Sequence, residues 1–264
     1  MATTRCLCKA PLSSPLRPHQ ASPKQLSQQL ARFHQSPRGL ARQRQLLVQA
    51  RKSPLFKELA ERKKESQSSA SAAPVAGKLE WQSPLSIIRY PDPRLRAVNA
   101  RIQRFDSQLK HLSDEMFEVM YNGDDGVGLA APQVGVNIRL MVFNPSGDRR
   151  AVNEQMVLVN PEIMEESGPR RDFEEGCLSF PQMFAVVERI TRVKVKFQDL
   201  QGRTATMELD EFPARIFLHE FDHLQGTLFH DRMRPRELRQ VKSQLVALED
   251  AYLRQHPNAR IQRA

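Results

Sequence analysis

The sequence predicts an α+β domain, with small antiparallel or mixed sheets packed around a central helix, a long helix on its N-terminal side and another helix at the C-terminal end. Three observations carry this reading. Two stretches place apolar residues at helical spacing, five short segments between them are rich in β-branched and aromatic residues, and a further helical stretch opens with Pro213 and closes ahead of Gly226.

The first helix is read over residues 105–120, where Phe105, Leu109, Leu112, Met116 and Met120 share one face, with Asp106 at its start and Gly123 just past its end. Strands are expected at 138–143, 157–160, 184–190, 193–197 and 204–209. In the fourth, Val193, Val195 and Phe197 alternate with Arg192, Lys194 and Lys196, the pattern of a strand with one dry face and one wet one. The central helix is placed at about 213–224, because a proline is tolerated in a first turn and a glycine is suited to stop a helix. The last helix begins near Pro235 and carries Leu238, Val241, Leu245, Leu248 and Tyr252 on one stripe.

The chain has 264 residues, 40% of them apolar, and a formal net charge of +10. Such a charge points to nucleic acid or a membrane surface unless it is localised. Here it is localised: residues 1–78 hold 15 basic and 3 acidic side chains, with no acid before Glu58, and the remainder holds 25 and 27. That first stretch is rich in Arg, Ser, Gln and Pro and lacks the apolar run of a secretory signal or membrane span. Residues 1–78 are therefore expected to be an organelle transit peptide and disordered linker, the linker being the Ser, Ala, Gln and Pro run at 65–77, with the folded domain at 79–264. A disordered basic tail on an anionic partner is the competing reading. The opening Met1-Ala2-Thr3-Thr4 favours a chloroplast, with a mitochondrion or dual import as the alternative, and the many arginines and an amphipathic piece at 40–48 suit either import system. Cys6 and Cys8 fall in the leader, so Cys177 is alone in the domain, which argues against a disulfide framework and for a reducing compartment.

The sharpest chemical signal is His219-Glu220-Phe221-Asp222-His223 within the central helix. Residues four apart stand one turn above each other, so both imidazoles reach one divalent metal from the same face. Glu220, adjacent but rotated away, is placed to take a proton from a water on that metal. By itself the pattern also fits an ordinary surface helix. A third ligand downstream is hard to find: His230 is too close, His256 sits near a frayed end, and Glu237 and Glu249 are expected on an exposed charged face. Upstream, the stretch EEGCLSFP at 174–181 offers Cys177, a soft thiolate beside a tight glycine. A further segment, GVGLAAPQ at 126–133, lets backbone approach a ligand closely and adds Gln133, a neutral donor suited to an oxyanion. It lacks the lysine and hydroxyl of a phosphate loop, and alone it reads as a Gly-rich turn.

Taken together and in this order, GVGLAAPQ, EGCLS and HEFDH resemble the three signature motifs of peptide deformylase, the family that removes the N-formyl group from new polypeptides. The resemblance runs from IRYPDP at 88–93 to Asp231-Arg232-Met233, and EGCLSFP and FPARIF are most similar to the plant organellar, bacterial-like branch. Gln182 departs from the pattern, since a glycine is expected after the proline. The resemblance implies that Cys177, His219 and His223 hold one divalent ion, Fe2+ or Zn2+, with water in the fourth place. It implies that Glu220 serves as base and then as acid, and that the Gln133 amide and the Leu178 N–H stabilise the oxyanion. Phe212 and Ile216, seven and three residues before His219, are expected to line an apolar slot for a methionine side chain, with Val127, Gly128 and Phe184 as further walls. Asp222 either orients a ligand or makes a surface salt bridge. The implied substrates are N-formylmethionyl nascent peptides, with transient ribosome contact through Arg236, Arg239 and Lys242 of the last helix, and neither DNA nor a membrane as partner. The competing functions are a general zinc peptidase and a noncatalytic ribosome-docking module.

Overall fold

The computed structural model describes residues 76–264 apart from Lys78 and residues 123–125. The expected transit peptide, Cys6 and Cys8, the amphipathic piece at 40–48, nearly all of the linker and the Gly123 stop signal lie outside the described residues.

The described chain is α+β. Helix α1 spans Ser107–Tyr121, followed by strands β1 (Gly128–Ala130), β2 (Leu140–Phe143), β3 (Met156–Cys177), β4 (Phe180–Gln198) and β5 (Thr204–Asp210), then helices α2 (Glu211–Leu224) and α3 (Pro235–Gln255). Asp106 caps α1 by accepting bonds from the N–H groups of Gln108 and Leu109, so the helix starts two residues later than its apolar face suggests. Helix α2 begins at Glu211, leaving Pro213 inside the first turn. It stops where Gly226 turns left-handed (φ 69°) and its N–H bonds the His223 carbonyl at 3.1 Å. The Asn99 amide donates to the carbonyls of both His223 and Leu224, each at 3.2 Å, satisfying the end of the helix.

In place of several small sheets there is one antiparallel sheet in the order β1-β2-β3-β4-β5. The two segments expected at 184–190 and 193–197 are one strand of 19 residues, β4. The four-residue strand expected at 157–160 is the start of a 22-residue strand, β3. Pro161, Gly168 and Pro169 hid its continuation, because prolines and glycines usually end a strand. Here register shifts at Val159/Glu162, Ile163/Glu165 and Ser167/Arg170 absorb them as bulges. Ile138 lies outside β2 and forms an isolated parallel bridge with Ala100.

Strand β2 explains how the site is mounted. Leu140 and Val142 pack with Leu109, Leu112, Met116 and Met120 of α1, whereas Met141 and Phe143 pack with Ala214, Ile216 and Phe217 of α2. Alternate side chains leave a strand on opposite faces, so a continuous apolar run fills two cores at once. Full burial of each such side chain stabilises the fold by about 1.5–3 kcal/mol. A third cluster joins Cys177, Phe180, Ala185 and Val187 of the β3–β4 hairpin to Tyr90, Phe229 and Val241, Leu245 of α3. Tyr252, at the end of the α3 stripe, is partly buried, with its ring centre 4.5 Å from that of His256 and the two planes tilted by 40°. Glu237 and Glu249 are buried, contrary to the exposed face expected for them, and Glu249 accepts a 2.6 Å bond from the Tyr90 hydroxyl. Among the described residues no helix is long and apolar enough to cross a membrane.

Candidate metal centre

Helix α2 brings His219 and His223 to one side, with ring centres 5.3 Å apart, and the end of β3 delivers Cys177 to the same point. The Cys177 sulfur lies 3.3 Å from Nε2 of His223. One ligand atom from each of the three residues falls within 4.8 Å of the other two, and all three side chains are buried. Among the described residues this is the cluster of Cys, His and acidic groups that could hold an ion; His256 is exposed and His230 is packed elsewhere.

His219 is held by charge. Nδ1 of His219 lies 3.1 Å from Oε2 of Glu175. A carboxylate there keeps the proton on Nδ1 and leaves Nε2 as the ring's ligand atom. Glu175 is fully buried, and it is paired bidentately with Arg189 at 2.6 and 2.9 Å and with Nη1 of Arg215 at 2.7 Å. Burial pushes the Glu175 pKa up, but the Arg189 charge and the bonds from His219 and Arg189 outweigh it and hold the carboxyl at about 2. Arg189 also donates to Asp222 at 2.8 Å, and Arg232 closes the chain on the other side of Asp222 at 3.0 Å. Asp222 is therefore buried in an ion-pair chain rather than in a surface salt bridge, and Arg189 and Glu175 connect it to His219.

Around the cluster stand a carboxylate and an amide. Glu220 is fully buried on α2, and the backbone of β1 runs so close that a β-carbon on Gly128 would fall 2.6 Å from Glu220 Oε1. Gln133, in the turn after β1, accepts a 2.8 Å bond from the Ala130 N–H through Oε1, which fixes its amide. Nε2 is thereby aimed at the Cys177 sulfur, 3.4 Å away, and the Ser179 hydroxyl, 3.5 Å away. Leu178 lies in the tight turn between β3 and β4, partly buried against the α1 core.

The residues expected to wall an apolar slot are spread over three elements. Ile216 and Gly128 meet, with the would-be Gly128 β-carbon 2.8 Å from Ile216 Cγ2. Val127 is fully buried in the same cluster as Ile216, and Phe212 packs on it from α2 while half-exposed. Phe184 sits on β4 in register with Gly176 and is half-buried. Sequence reasoning passed over Glu175, Arg189 and Arg215 as parts of the site. Two of them had a positional signal: Glu175 shares a strand face with Cys177, two residues on, and Arg215 shares a helix face with His219, four residues on. Arg189 had none.

Comparison with known proteins agrees with this geometry. Residues 84–239 match the family model described as polypeptide deformylase. The chain is 51% identical over 174 residues to the chloroplastic peptide deformylase 1B of Solanum lycopersicum, covering 66% of this chain and 62% of that protein. It is 49% identical over 174 residues to the chloroplastic/mitochondrial peptide deformylase 1B of Arabidopsis thaliana, covering 66% of this chain and 63% of that one. The match thus spans under two thirds of the length of these plant relatives. Among solved structures, a plant peptide deformylase superposes with a TM-score of 0.68 at 46% identity, over 71% of this chain and 100% of that chain. The peptide deformylase of Thermotoga maritima does so with a TM-score of 0.54 at 42% identity, over 58% and 100%.

Proposed function

This chain belongs to the polypeptide deformylase family, and we propose that it hydrolyses the N-formyl amide of newly made polypeptides that begin with formylmethionine, releasing formate. The observation that carries the reading is the convergence of one sulfur and two imidazoles within 4.8 Å, with a buried carboxylate on the same helix and an amide nitrogen 3.4 Å from the sulfur.

The donor set fits a divalent ion. A soft thiolate and two imidazoles suit Fe2+ and Zn2+ alike, and the Glu175 bond orients one imidazole in advance. Cys177, His219 and His223 would hold the ion, leaving a coordination position open to water and substrate. When bound, the ion supplies Lewis acidity toward the formyl carbonyl and the attacking water.

The protein's own groups account for the remaining steps. Glu220 takes the proton of the water as it attacks the formyl carbon, then passes that proton to the departing amine nitrogen. The Gln133 amide and the Leu178 N–H donate to the oxygen on which negative charge develops. Ile216 and Phe212, with Val127, Gly128 and Phe184, form the slot for an unbranched apolar side chain, and methionine fits that description. Residues 79–264 act as the catalytic domain, and residues 1–78 direct it to an organelle; the plant relatives named chloroplastic or chloroplastic/mitochondrial support that assignment. Arg236, Arg239 and Lys242 are exposed on α3, where they suit brief contact with ribosomal RNA phosphates.

The deciding experiment incubates the metal-loaded chain with formyl-Met-Ala-Ser and with the same peptide lacking the formyl group. Formate and free Met-Ala-Ser are expected from the first, and nothing from the second. Internal cleavage without formate would overturn this function in favour of a general peptidase.

A further inference from the structure

We propose that Arg215 is a positioning residue that ties the wall of the substrate slot to the support of the metal ligand His219. The inference rests on the reading of Cys177, His219 and His223 as a metal centre.

Arg215 lies one turn before His219 on α2, so the two side chains leave the helix on the same side. It is 6% exposed, and its guanidinium makes three hydrogen bonds to the β3–β4 hairpin. Nη1 donates to Glu175 Oε1 at 2.7 Å and to the Val187 carbonyl at 3.0 Å, and Nη2 donates to the Arg171 carbonyl at 2.6 Å. One side chain therefore pins the metal-binding helix to both strands of the hairpin whose tip carries Cys177.

Charge balance alone gives no reason for it. Glu175 already has Arg189, bound through both oxygens, and a second buried guanidinium adds a desolvation cost. Burial pulls the Arg215 pKa down, against the attraction of Glu175. What Arg215 adds is geometry. It bonds Oε1 of Glu175 from the helix while Nδ1 of His219 meets Oε2 of the same carboxylate at 3.1 Å. The carboxylate is thus gripped by the helix that carries the ligand as well as by the sheet.

The second role is on the flat face of the guanidinium. The Arg215 Cζ lies 5.4 Å from the centre of the Phe173 ring, within cation–π range. Phe173 is 47% exposed on β3, and its ring is 6.3 Å from that of Phe212. An exposed phenylalanine held over a buried cation beside Phe212 extends the slot to its rim. A lysine could supply the charge but neither the planar face nor the fork that reaches three acceptors.

The test compares the full chain with Arg215→Lys, Arg215→Met and Phe173→Ala, each loaded with Co2+. Three quantities are read: the rate at which EDTA strips the ion, the visible absorption of bound Co2+, and the kcat and KM for formyl-Met-Ala-Ser. Arg215→Lys is expected to lose metal about 10-fold faster, the effect of removing a group that supports a ligand, with a shifted Co2+ band and a raised KM. Phe173→Ala is expected to raise KM several-fold while leaving metal release and the Co2+ band as in the parent. Unchanged metal release and absorption in Arg215→Lys, or an unchanged KM in Phe173→Ala, would overturn the proposal. If Arg215→Met does not fold, the lysine variant decides the matter. Metal release and absorption do not depend on the reaction catalysed, so a parent chain that releases no formate would overturn the proposed function while these two readouts still judge Arg215.

Discussion

A β-carbon on Gly128 would stand 2.6 Å from Oε1 of Glu220 and 2.8 Å from Cγ2 of Ile216. Gly128 is not among the glycines of positive φ, so its place in β1 is set by close approach rather than by backbone freedom. Gly128→Ala should therefore displace the Glu220 carboxylate and narrow the slot at Ile216. Overpacking of this kind costs about 1–3 kcal/mol of stability. The loss of activity should be larger, on the order of 100-fold, since a misplaced catalytic group of about 1 Å has that effect. Urea unfolding and formate release on the same preparation separate the two, and an alanine variant with full activity would show that the carboxylate has room to move.

Glu220→Gln changes one oxygen to nitrogen and leaves the shape of the buried side chain intact. The variant should retain its metal, because the proposed ligand atoms belong to Cys177, His219 and His223. Formate release should fall by about 100-fold or more, the usual contribution of a positioned general base. Metal analysis beside a turnover assay checks both halves, and undiminished turnover would assign the base elsewhere.

Arg189 is the common partner of Glu175 and Asp222. Arg189→Met would leave two buried carboxylates short of a cation, and breaking a buried pair in this way costs about 3–5 kcal/mol. The acid limb should change as well. A carboxyl held at about 2 stabilises the fold above its ordinary pKa of 4.5, and that contribution is lost as pH falls from 4.5 toward 2. The variant should lose much of this dependence, which unfolding midpoints across that range would reveal.

The site was more legible than the sheet that supports it, for physical reasons. His219 and His223 share a helix face by spacing alone, and Cys177 stands out chemically, so their meeting needed no knowledge of β3. The long β3–β4 hairpin was invisible beyond its apolar ends, because Pro161, Gly168 and Pro169 interrupt the alternation and bulges repair it only in three dimensions. The same limit hid Arg189 and Arg215. A buried cation looks like a surface one in sequence, and only the folded chain shows both reaching Glu175, Arg189 across the hairpin and Arg215 from α2. Glu237 and Glu249 were misread as solvated for that reason: Glu249 is buried against Tyr90, 159 positions away.

Gln182 has φ 56°, a left-handed conformation, at the bulge where Cys177 pairs with Phe180 and Gly176 pairs with Phe184. A glycine is expected at this position from the family pattern, and the backbone supplies the reason: a side chain is strained there and a glycine is not. Gln182→Gly should raise stability by about 1 kcal/mol, which shifts a thermal midpoint by a few degrees. Metal retention should be unaffected, since Gln182 is exposed and is not one of the three clustered residues. A lowered midpoint would mean that the glutamine side chain contributes more than its strained backbone costs.

His230 should give the fold a second, separate pH dependence. Its ring is buried edge-on to Tyr90, with centres 4.8 Å apart, and lies 5.5 Å from that of Phe180. Burial pushes its pKa down from 6.5 to about 4; Arg96 opposes a second positive charge, whereas Asp231 and Glu249 favour one without prevailing. The folded protein therefore binds fewer protons at this position than the unfolded chain between pH 6.5 and 4. Stability from the neutral ring is fully present above the unfolded value and declines as pH falls through that window, by at most about 3 kcal/mol. His230→Phe keeps an aromatic ring against Tyr90 and Phe180 but cannot be protonated, so it should be flat where the parent slopes. Comparing parent and variant at equal metal loading cancels whatever acid response the two proteins share. Urea midpoints at pH 7 and pH 5 should show the parent losing about 2 kcal/mol more than the variant. Equal losses would mean that His230 takes up its proton as readily in the folded protein as in the unfolded chain.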